Sequence, residues 1–399
     1  MGWRRRHQTV GEWLDEWLAV YVEPRVRDGE LAASTAASYR GHVRRYLRPA
    51  FGTIELRRLS AEDVTALYRT MGTPVAEGGL GLSPRTRELT HVTLRMALAR
   101  AVAVGRVKRN VLEQGQGVDR PRARRRRVRA LERDQAVELL RALATAEGSA
   151  RRLFVPALLA LTTGMRRGEI LALRVDDITL PPSRRPRALG MITVTRAWDT
   201  GVSPGHGHHP LERYRLREWP KSGHERYVDI APEVVALLRD ALDERTARRS
   251  AAGVMWQTRA ERADGTVSEW GELLICDDAG WPWWPDSFSS AWRSWARTSA
   301  TPCRFHDLRA TSGSLSLAAG SDAEVVSARL GHHSAAFFLD HYAKPLHTAR
   351  VGDAAIMGAL VAQAVGPLAS RRTGTSVPAA PGSPLGRVRQ RPSGHRSGP

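Results

Sequence analysis

Cysteine is scarce in this sequence of 399 residues, where only Cys276 and Cys303 occur. Two thiols cannot form a disulfide framework or a four-cysteine zinc site, which indicates a reducing, cytoplasmic setting. No apolar run approaches the ~20 residues that span a bilayer, and the basic N-terminus lacks the apolar segment of a signal peptide. We therefore expect a cytoplasmic protein that does not cross a membrane.

Nucleotide-binding motifs are also missing, since neither GxxxxGK[ST] nor GxGxxG occurs. The segment 205–209 reads GHGHH, but histidines separated by glycines lack the rigid element that sets metal-ligand geometry. A solvated loop is the better interpretation of this segment. We expect neither a metal nor any other cofactor.

Lysine is the third scarcity. Of the 61 basic residues only Lys108, Lys221 and Lys344 are lysines. Codon bias explains a general preference for arginine, so a lysine retained at a particular site indicates a chemical role. With 41 acidic residues the formal net charge is +20, while 42% hydrophobic residues suffice for a folded core. A strongly basic folded chain points to a polyanion as its partner.

The basic excess is unevenly distributed. Residues 1–129 contain 26 basic and 13 acidic residues, 366–399 contain six basic and no acidic residues, and 130–365 carry a net charge of only +1. The run RPRARRRRVR at 120–129 is typical of a linker and would lie well across a DNA backbone, with Arg124, Arg125, Arg126 and Arg127 as DNA-binding candidates. From residue 366 onward the composition predicts a disordered basic tail.

Residues 1–119 are predicted to form a helical domain. Apolar residues recur near the helical period from Val10 to Val22, and Ser34, Ser60 and Ser83 stand where N-caps of three further helices are expected. The helix after Ser34 carries one continuous basic face, formed by Arg40, Arg44, Arg45 and Arg48. Such a face is either an ordinary solvated surface or a phosphate-binding surface, and the net charge of the module favours the second.

Residues 130–365 predict a mixed domain with a small antiparallel sheet. Helices are expected at about 133–146, 151–163, 232–248 and 286–299, and again from 306 onward. The β-rich stretches 189–198 and 225–230 flank a turn at Lys221. The fold class is therefore α+β and mainly α.

Two motifs of this domain combine arginine with groups suited to an anion. Arg166, in TGMRRGE, follows a helix end, where a guanidinium can fork onto two phosphate oxygens. A cation at the start of the next helix is unfavourable against the helix dipole, which hints at an anionic partner. His306 and Arg309, in HDLRATSG, share one helical face and can move protons and bind an anion, although an HxxR match alone is common.

A third motif, LGHHSAAFFLDHYAK at 330–344, contains His332 and Tyr342. Leu330 and Gly331 end a helix before His332, and this register favours His332 over His333. Taken alone, Tyr342 is better explained as an amphipathic side chain at a helix edge.

In their order and spacing, these motifs resemble those of the tyrosine recombinases, or phage-type integrases, over roughly residues 8–350. The ordered set is far more specific than any single motif. The resemblance implies a helical core-binding domain at 1–119, a linker at 120–129, a catalytic domain at 130–365 and a tail at 366–399. Only about seven residues precede the core-binding segment, so either the arm-binding domain of many phage integrases is absent or the start codon is set too far downstream.

By the same resemblance, Lys221 in WPKSGHERYVDI lies where the family has its β-hairpin lysine. Lysine can release a proton whereas arginine stays protonated, so a lysine suits a general acid. Asp177 in LRVDDI matches an acidic supporting position and is preferred to Glu169, although a capping role explains Asp177 nearly as well.

The resemblance also implies a reaction. Tyr342 would attack the scissile phosphate and form a 3′-phosphotyrosine without a cofactor. Arg166 and Arg309 would stabilise charge on the non-bridging oxygens, and His332 would donate a further hydrogen bond. Lys221 would protonate the leaving 5′ oxygen, and His306 would act as base toward the tyrosine.

The expected function is site-specific recombination of a mobile element, either integration or excision. The expected partners are double-stranded DNA and three further copies in a tetramer on synapsed sites, with an accessory directionality factor as a further candidate. The helix expected at 351–365 packs either on a neighbouring copy or on its own domain. The alternatives are a topoisomerase with the same chemistry and a non-catalytic DNA-binding protein.

Overall fold

The computed structural model describes residues 8–113, 117–123, 129–185, 187–200, 209–218 and 225–331. Within these ranges, no helix combines the length and the apolar character needed to cross a membrane. Two large hydrophobic cores organise the described chain, one in its N-terminal part and the other from Leu131 onward, and a small third cluster contains Ala310, Val326 and Leu330. The domain boundaries themselves remain predictions.

The N-terminal part is helical, as predicted. Its α-helices are α1 (Val10–Glu16), α2 (Glu23–Arg27), α3 (Ala33–His42), α4 (Arg48–Phe51), α5 (Ala61–Gly72) and α6 (Pro84–Ala103). π-Helical segments at Trp17–Val22 and Val43–Leu47 join α1 to α2 and α3 to α4, so each pair reads as one long helix. The Trp13 indole is fully buried in this core and donates a hydrogen bond to the Ala97 carbonyl at 3.0 Å.

The capping predictions have mixed outcomes. Ser60 caps α5 in a reciprocal pair with Asp63, and the Ser83 hydroxyl accepts from the Thr86 amide at the start of α6. The prediction of Ser34 as a cap is wrong, because α3 begins at Ala33 after the extended residue Ala32. No side-chain hydrogen bond caps that helix.

The second part contains nine α-helices within the described residues. They are α7 (Arg133–Ala144), α8 (Gly148–Arg151), α9 (Phe154–Thr163), α10 (Arg167–Leu171), α11 (Pro210–Arg213), α12 (Pro232–Ala252), α13 (Pro285–Thr298), α14 (Phe305–Ala318) and α15 (Ala323–Leu330). Short 3-10 turns lie at Val175–Asp177 and Gly253–Met255 in this part, and at Val75–Glu77 in the N-terminal part. The predicted helices of this region are confirmed as far as residue 330.

Three small antiparallel sheets accompany these helices in the part of the chain that the structure describes. Strands β1 (Ile178–Thr179), β2 (Gly190–Val194) and β5 (Arg226–Ile230) pair in the order β1-β2-β5, β3 (Ala197–Thr200) pairs with β4 (Tyr214–Arg217), and β6 (Arg259–Glu261) pairs with β7 (Val267–Glu269). Burial alternates along β5, so that its first, third and fifth side chains face the core. The first of these inward positions is an arginine, Arg226. The predicted α+β fold with a small antiparallel sheet is confirmed, although β1, β4, β6 and β7 lie outside the predicted β-rich stretches.

Candidate active site

A cavity of about 1050 Å³ opens between α10, α13 and the start of α14. Arg166 and His306, which lie 140 residues apart in the sequence, both line it. Although residues 130–365 are nearly neutral, seven arginines and three acidic residues line this cavity. Its basic side chains besides His306 are Arg129, Arg166, Arg167, Arg217, Arg293, Arg297 and Arg304. A cavity with this lining suits a polyanion.

Arg166 is the residue immediately before α10 and is held by three protein contacts. Its Nη1 donates to Glu169 Oε1 at 2.8 Å, its backbone amide donates to Glu169 Oε2 at 2.8 Å, and its Nη2 donates to the Gly331 carbonyl at 2.9 Å. The side chain keeps 27% exposure. Arg166 is therefore oriented by the protein while part of its guanidinium faces the cavity.

Arg309, on α14, is nearly fully buried at 2% exposure. Its Nη1 donates to the Gly164 carbonyl at 2.6 Å, which ties α14 to the end of α9. Gly164 has φ +69°, and a Cβ atom there would stand 2.0 Å from the buried Leu330 Cδ2. Only glycine fits this junction, and its carbonyl places Arg309 behind the loop that presents Arg166.

His306 lies one turn before Arg309 on α14 and lines the cavity. Burial, with the added charge of Arg309, lowers the pKa of its imidazole below the ordinary value. Although the residue is exposed to the cavity, its ring is therefore more readily neutral than that of a histidine of ordinary pKa. A neutral imidazole can accept a proton, as the predicted base role requires.

Helix α15 docks against the end of α9. The Arg329 Nη1 donates to the Thr162 carbonyl at 2.6 Å, and Leu330 packs against Gly164. Gly331 follows with φ +67° and ends α15 in the left-handed conformation. This arrangement brings Gly331, the residue covalently joined to His332, to Arg166.

Glu169 lies between two arginines in the cavity wall. It is 1% exposed and accepts from Arg166 on one side and from Arg226 on the other. Burial acts to raise the pKa of its carboxyl, but the hydrogen bonds and charges of Arg226 and Arg166 outweigh burial and lower it. Glu169 is therefore a carboxylate held between two guanidinium groups.

Asp177 makes different contacts. Its carboxylate accepts from Arg196 Nη1 at 2.7 Å and from the Arg174 backbone amide at 2.8 Å. These are the contacts of a capping and ion-pairing residue, whereas the carboxylate that bonds Arg166 belongs to Glu169. The contacts therefore do not support the preference for Asp177 over Glu169, and a supporting role for Asp177 remains a prediction.

The sequence prediction ranked Glu169 of this network below Asp177 and did not name Arg226. Glu169 stands three residues after Arg166, the spacing at which a side chain reaches back to the residue before a helix. Arg226 opens the alternating segment RYVDI, where the inward positions are otherwise Val228 and Ile230. An arginine at an inward strand position is a signal for a buried acidic partner.

The predicted basic face of the N-terminal part is present but partly neutralised. Arg40 pairs with Glu23, and Arg48 pairs with Asp15 at 2.5 Å, while Arg44 and Arg45 are exposed. Several other predicted residues lie outside the described ranges, as do the tail at 366–399 and the helix expected at 351–365. These site residues are Lys221, His332, Tyr342, Arg124, Arg125, Arg126 and Arg127.

Comparisons with solved structures identify proteins that share this fold. A Tn1549 transposon integrase in complex with a circular intermediate DNA superimposes with a TM-score of 0.60 at 16% identity, covering 85% of this chain and 98% of the other. A lambda integrase tetramer bound to a Holliday junction gives a TM-score of 0.53 at 17% identity, over 82% of this chain and 78% of the other. The chain thus has the fold of the tyrosine recombinases, and the resemblance predicted from the sequence is confirmed.

Sequence similarity points to the same group of proteins. An integrase from Streptomyces ambofaciens is 32% identical over 203 residues, which cover 48% of this chain and 46% of the relative. The match spans about half the length of that curated relative. No family model matches the chain.

Proposed function

We propose that this chain is a site-specific DNA recombinase that cuts and rejoins DNA through a 3′-phosphotyrosine at Tyr342. The observation that supports this proposal most is the convergence of Arg166 and His306 on one arginine-lined cavity, with Arg309 fixed behind it and Gly331 bonded to Arg166. A purely DNA-binding protein has no use for a cavity-lining histidine one turn from a buried arginine. The similarity to integrases supports the same proposal.

In the proposed reaction, the Tyr342 hydroxyl attacks the scissile phosphorus and the bond to the 5′ oxygen breaks. Arg166 and Arg309 stabilise the charge on the non-bridging oxygens, to which His332 also donates. His306 receives the tyrosine proton, and Lys221 protonates the departing 5′ oxygen. Attack of a 5′-hydroxyl from another strand on the phosphotyrosine then releases Tyr342, so the energy of the phosphodiester is retained and no cofactor takes part.

The substrate in this proposal is double-stranded DNA, recognised with the help of the basic N-terminal face and the linker at 120–129. The protein acts on synapsed sites as a tetramer and works in the cytoplasm at the nucleoid. An accessory directionality factor is a further partner. The fold of a lambda integrase tetramer on a Holliday junction supports this assembly by analogy.

The test uses DNA from the attachment site in a nicked suicide form that traps the covalent adduct. We expect the wild-type chain to form a protein–DNA adduct that resists denaturation, and Tyr342→Phe to form none. The control is Tyr227→Phe, because Tyr227 is an exposed tyrosine on β5 with 57% exposure and its variant should form the adduct normally.

Two results would contradict the proposal: no adduct from the wild-type chain, which would favour a DNA-binding protein, or an adduct from Tyr342→Phe. A wild-type chain that forms the adduct but only relaxes supercoiled DNA, without joining two sites, would instead support the topoisomerase.

A further inference from the structure

Arg226 is a buried arginine at an inward-facing position of β5, only five residues after Lys221 in the sequence. Its exposure is 8%, and it does not line the cavity formed by the described residues. It stands in the same motif as Lys221, but the proposed reaction gives it no role. A charged group so deeply buried needs strong compensation.

The Arg226 guanidinium is shared between two parts of the candidate site. Its Nη1 and Nη2 donate to the two oxygens of Glu169 at 3.1 and 2.5 Å, as a fork onto one carboxylate. Its Nε donates to the Arg329 carbonyl at 3.0 Å. A Cβ atom on Gly331 would stand 3.2 Å from this side chain, so the end of α15 packs directly on it.

Electrostatics gives this contact a consequence for Arg166. Arg166 and Glu169 by themselves would be a neutral ion pair, because the carboxylate offsets the guanidinium next to it. Without Arg226, the buried Glu169 carboxylate would bind Arg166 strongly. It would then cancel much of the field that Arg166 produces at the cavity. Arg226 occupies both oxygens of the same carboxylate, and the three groups together carry one net positive charge.

We propose that Arg226 is a positioning residue for the reaction, which neutralises Glu169 so that Arg166 presents its full charge to the scissile phosphate. This inference rests on the proposed function, since it assumes that Arg166 binds that phosphate. Arg226 itself acts through Glu169 and does not touch the DNA. Its bond to Arg329 also joins β5, the strand that follows Lys221, to the helix that ends before His332.

The test is whether removing the negative charge of Glu169 restores the cleavage rate that Arg226→Gln loses. In Arg226→Gln the remaining Arg166–Glu169 pair is neutral, and single-turnover cleavage of the suicide substrate should fall by about 10- to 100-fold, somewhat less than for loss of a direct oxyanion donor. In the double variant Glu169→Gln, Arg226→Gln the net charge of the three positions is again one positive unit. Its cleavage rate should recover to within about tenfold of wild type.

A second substrate separates charge from packing. A methylphosphonate at the scissile position replaces one charged oxygen by a methyl group, so the reaction depends less on the field of Arg166. The ratio of wild-type to Arg226→Gln rates should therefore shrink on this substrate. A loss of packing alone would slow both substrates equally.

Arg245 supplies the matched control. It is also buried, at 4% exposure, its Nε donates to the Leu273 carbonyl at 2.7 Å, and it pairs with a glutamate, Glu272, outside the cavity. Arg245→Gln should lower the thermal midpoint without changing cleavage per folded molecule. This control variant measures how the loss of a buried arginine outside the cavity affects stability and cleavage.

Each outcome decides between the possibilities. A double variant that is folded but as impaired as Arg226→Gln would overturn the inference, as would an unchanged ratio on the methylphosphonate. If Arg226→Gln does not fold, the double variant still decides, because it leaves no buried carboxylate and its one remaining charge, on Arg166, keeps 27% exposure. Failure of the wild-type chain to form any adduct would contradict the proposed function, whereas a cleaving wild type with unrescued variants would contradict only the role of Arg226.

Discussion

The arginines of the N-terminal helix α3–α4 and Arg309, the arginine fixed behind the cavity, differ in how the protein holds them. Arg48 is 55% exposed and pairs with the half-exposed Asp15, whereas Arg309 is 2% exposed and bonds the backbone of another helix. Exposed ion pairs contribute roughly 0–1 kcal/mol and their geometry is loose. The N-terminal arginines therefore provide charge, while the buried ones provide charge at a fixed place.

The largest difference is expected for Arg309. Arg309→Ala removes a guanidinium proposed to stabilise the transition state, and we expect cleavage to fall by about 10²- to 10³-fold. The variant also leaves the buried Gly164 carbonyl without this donor, which should cost about 1–3 kcal/mol of unfolding free energy. Single-turnover cleavage and thermal unfolding measure the two effects.

Arg262→Ala is the control for Arg309, because Arg262 is equally buried and donates to the Tyr214 carbonyl at 2.9 Å outside the cavity. It should lose stability without losing cleavage per folded molecule. Equal loss of cleavage in both variants would show that the loss of any buried arginine reduces cleavage. Arg309 would then have no special role in the reaction.

An intermediate effect is expected from pH, through His306. An ordinary histidine is half protonated near pH 6.5, but burial and Arg309 lower the pKa of His306. A base must be unprotonated, so the cleavage rate should hold as the pH is lowered through 6.5 and decline only in more acid solution. Single-turnover rates between pH 5 and 8 measure this, with His306→Gln as the comparison.

The expected acid decline should be missing from the residual activity of His306→Gln. A decline centred at or above pH 6.5 in the wild type would contradict the lowered pKa. A decline that persists unchanged in His306→Gln would assign the titration to another group.

The smallest effect on the chemical step is expected at the N-terminal face. Arg44→Gln and Arg45→Gln together should leave cleavage at saturating DNA unchanged and unfolding free energy within about 0.5 kcal/mol. DNA affinity should weaken, and its logarithmic salt dependence should become shallower by about one unit per lost phosphate contact. Binding titrations at several salt concentrations measure the slope.

Arg141→Gln, which changes an exposed arginine on α7, serves as the control for the N-terminal pair and should leave the salt dependence as it is. A double variant with an unaltered slope would mean that this face is an ordinary solvated surface, the alternative that the sequence leaves open.

Local signals made much of the fold predictable. Ser60 and Ser83 cap their helices because a hydroxyl and the amide three residues later are neighbours whatever the rest of the chain does. The ordered motifs likewise predicted that Arg166 and His306 belong to one site, and both residues line one cavity. Ser34 misled because α3 starts without any side-chain cap.

What escaped prediction depends on distant contacts. Glu169 and Arg226 are 57 residues apart, and neither the spacing of residues nor the local charge shows that one carboxylate faces two guanidinium groups. Asp177 looked the better candidate because its sequence context matches an acidic position of the family. Only the packing of β5 and α15 against α10 distinguishes the two carboxylates.

The hydrogen bond from Arg166 to the Gly331 carbonyl determines how many N–H hydrogens of Arg166 remain for a ligand. A guanidinium carries five N–H hydrogens, and among the described residues Glu169 accepts one from Nη1 and Gly331 accepts one from Nη2. Each terminal nitrogen thus has one hydrogen directed to the protein and a second that remains for a ligand, which matches the two non-bridging oxygens of a single phosphodiester. The protein consequently sets the direction of the Arg166 guanidinium before any DNA arrives, and loss of the Gly331 contact would leave that direction to Glu169 alone.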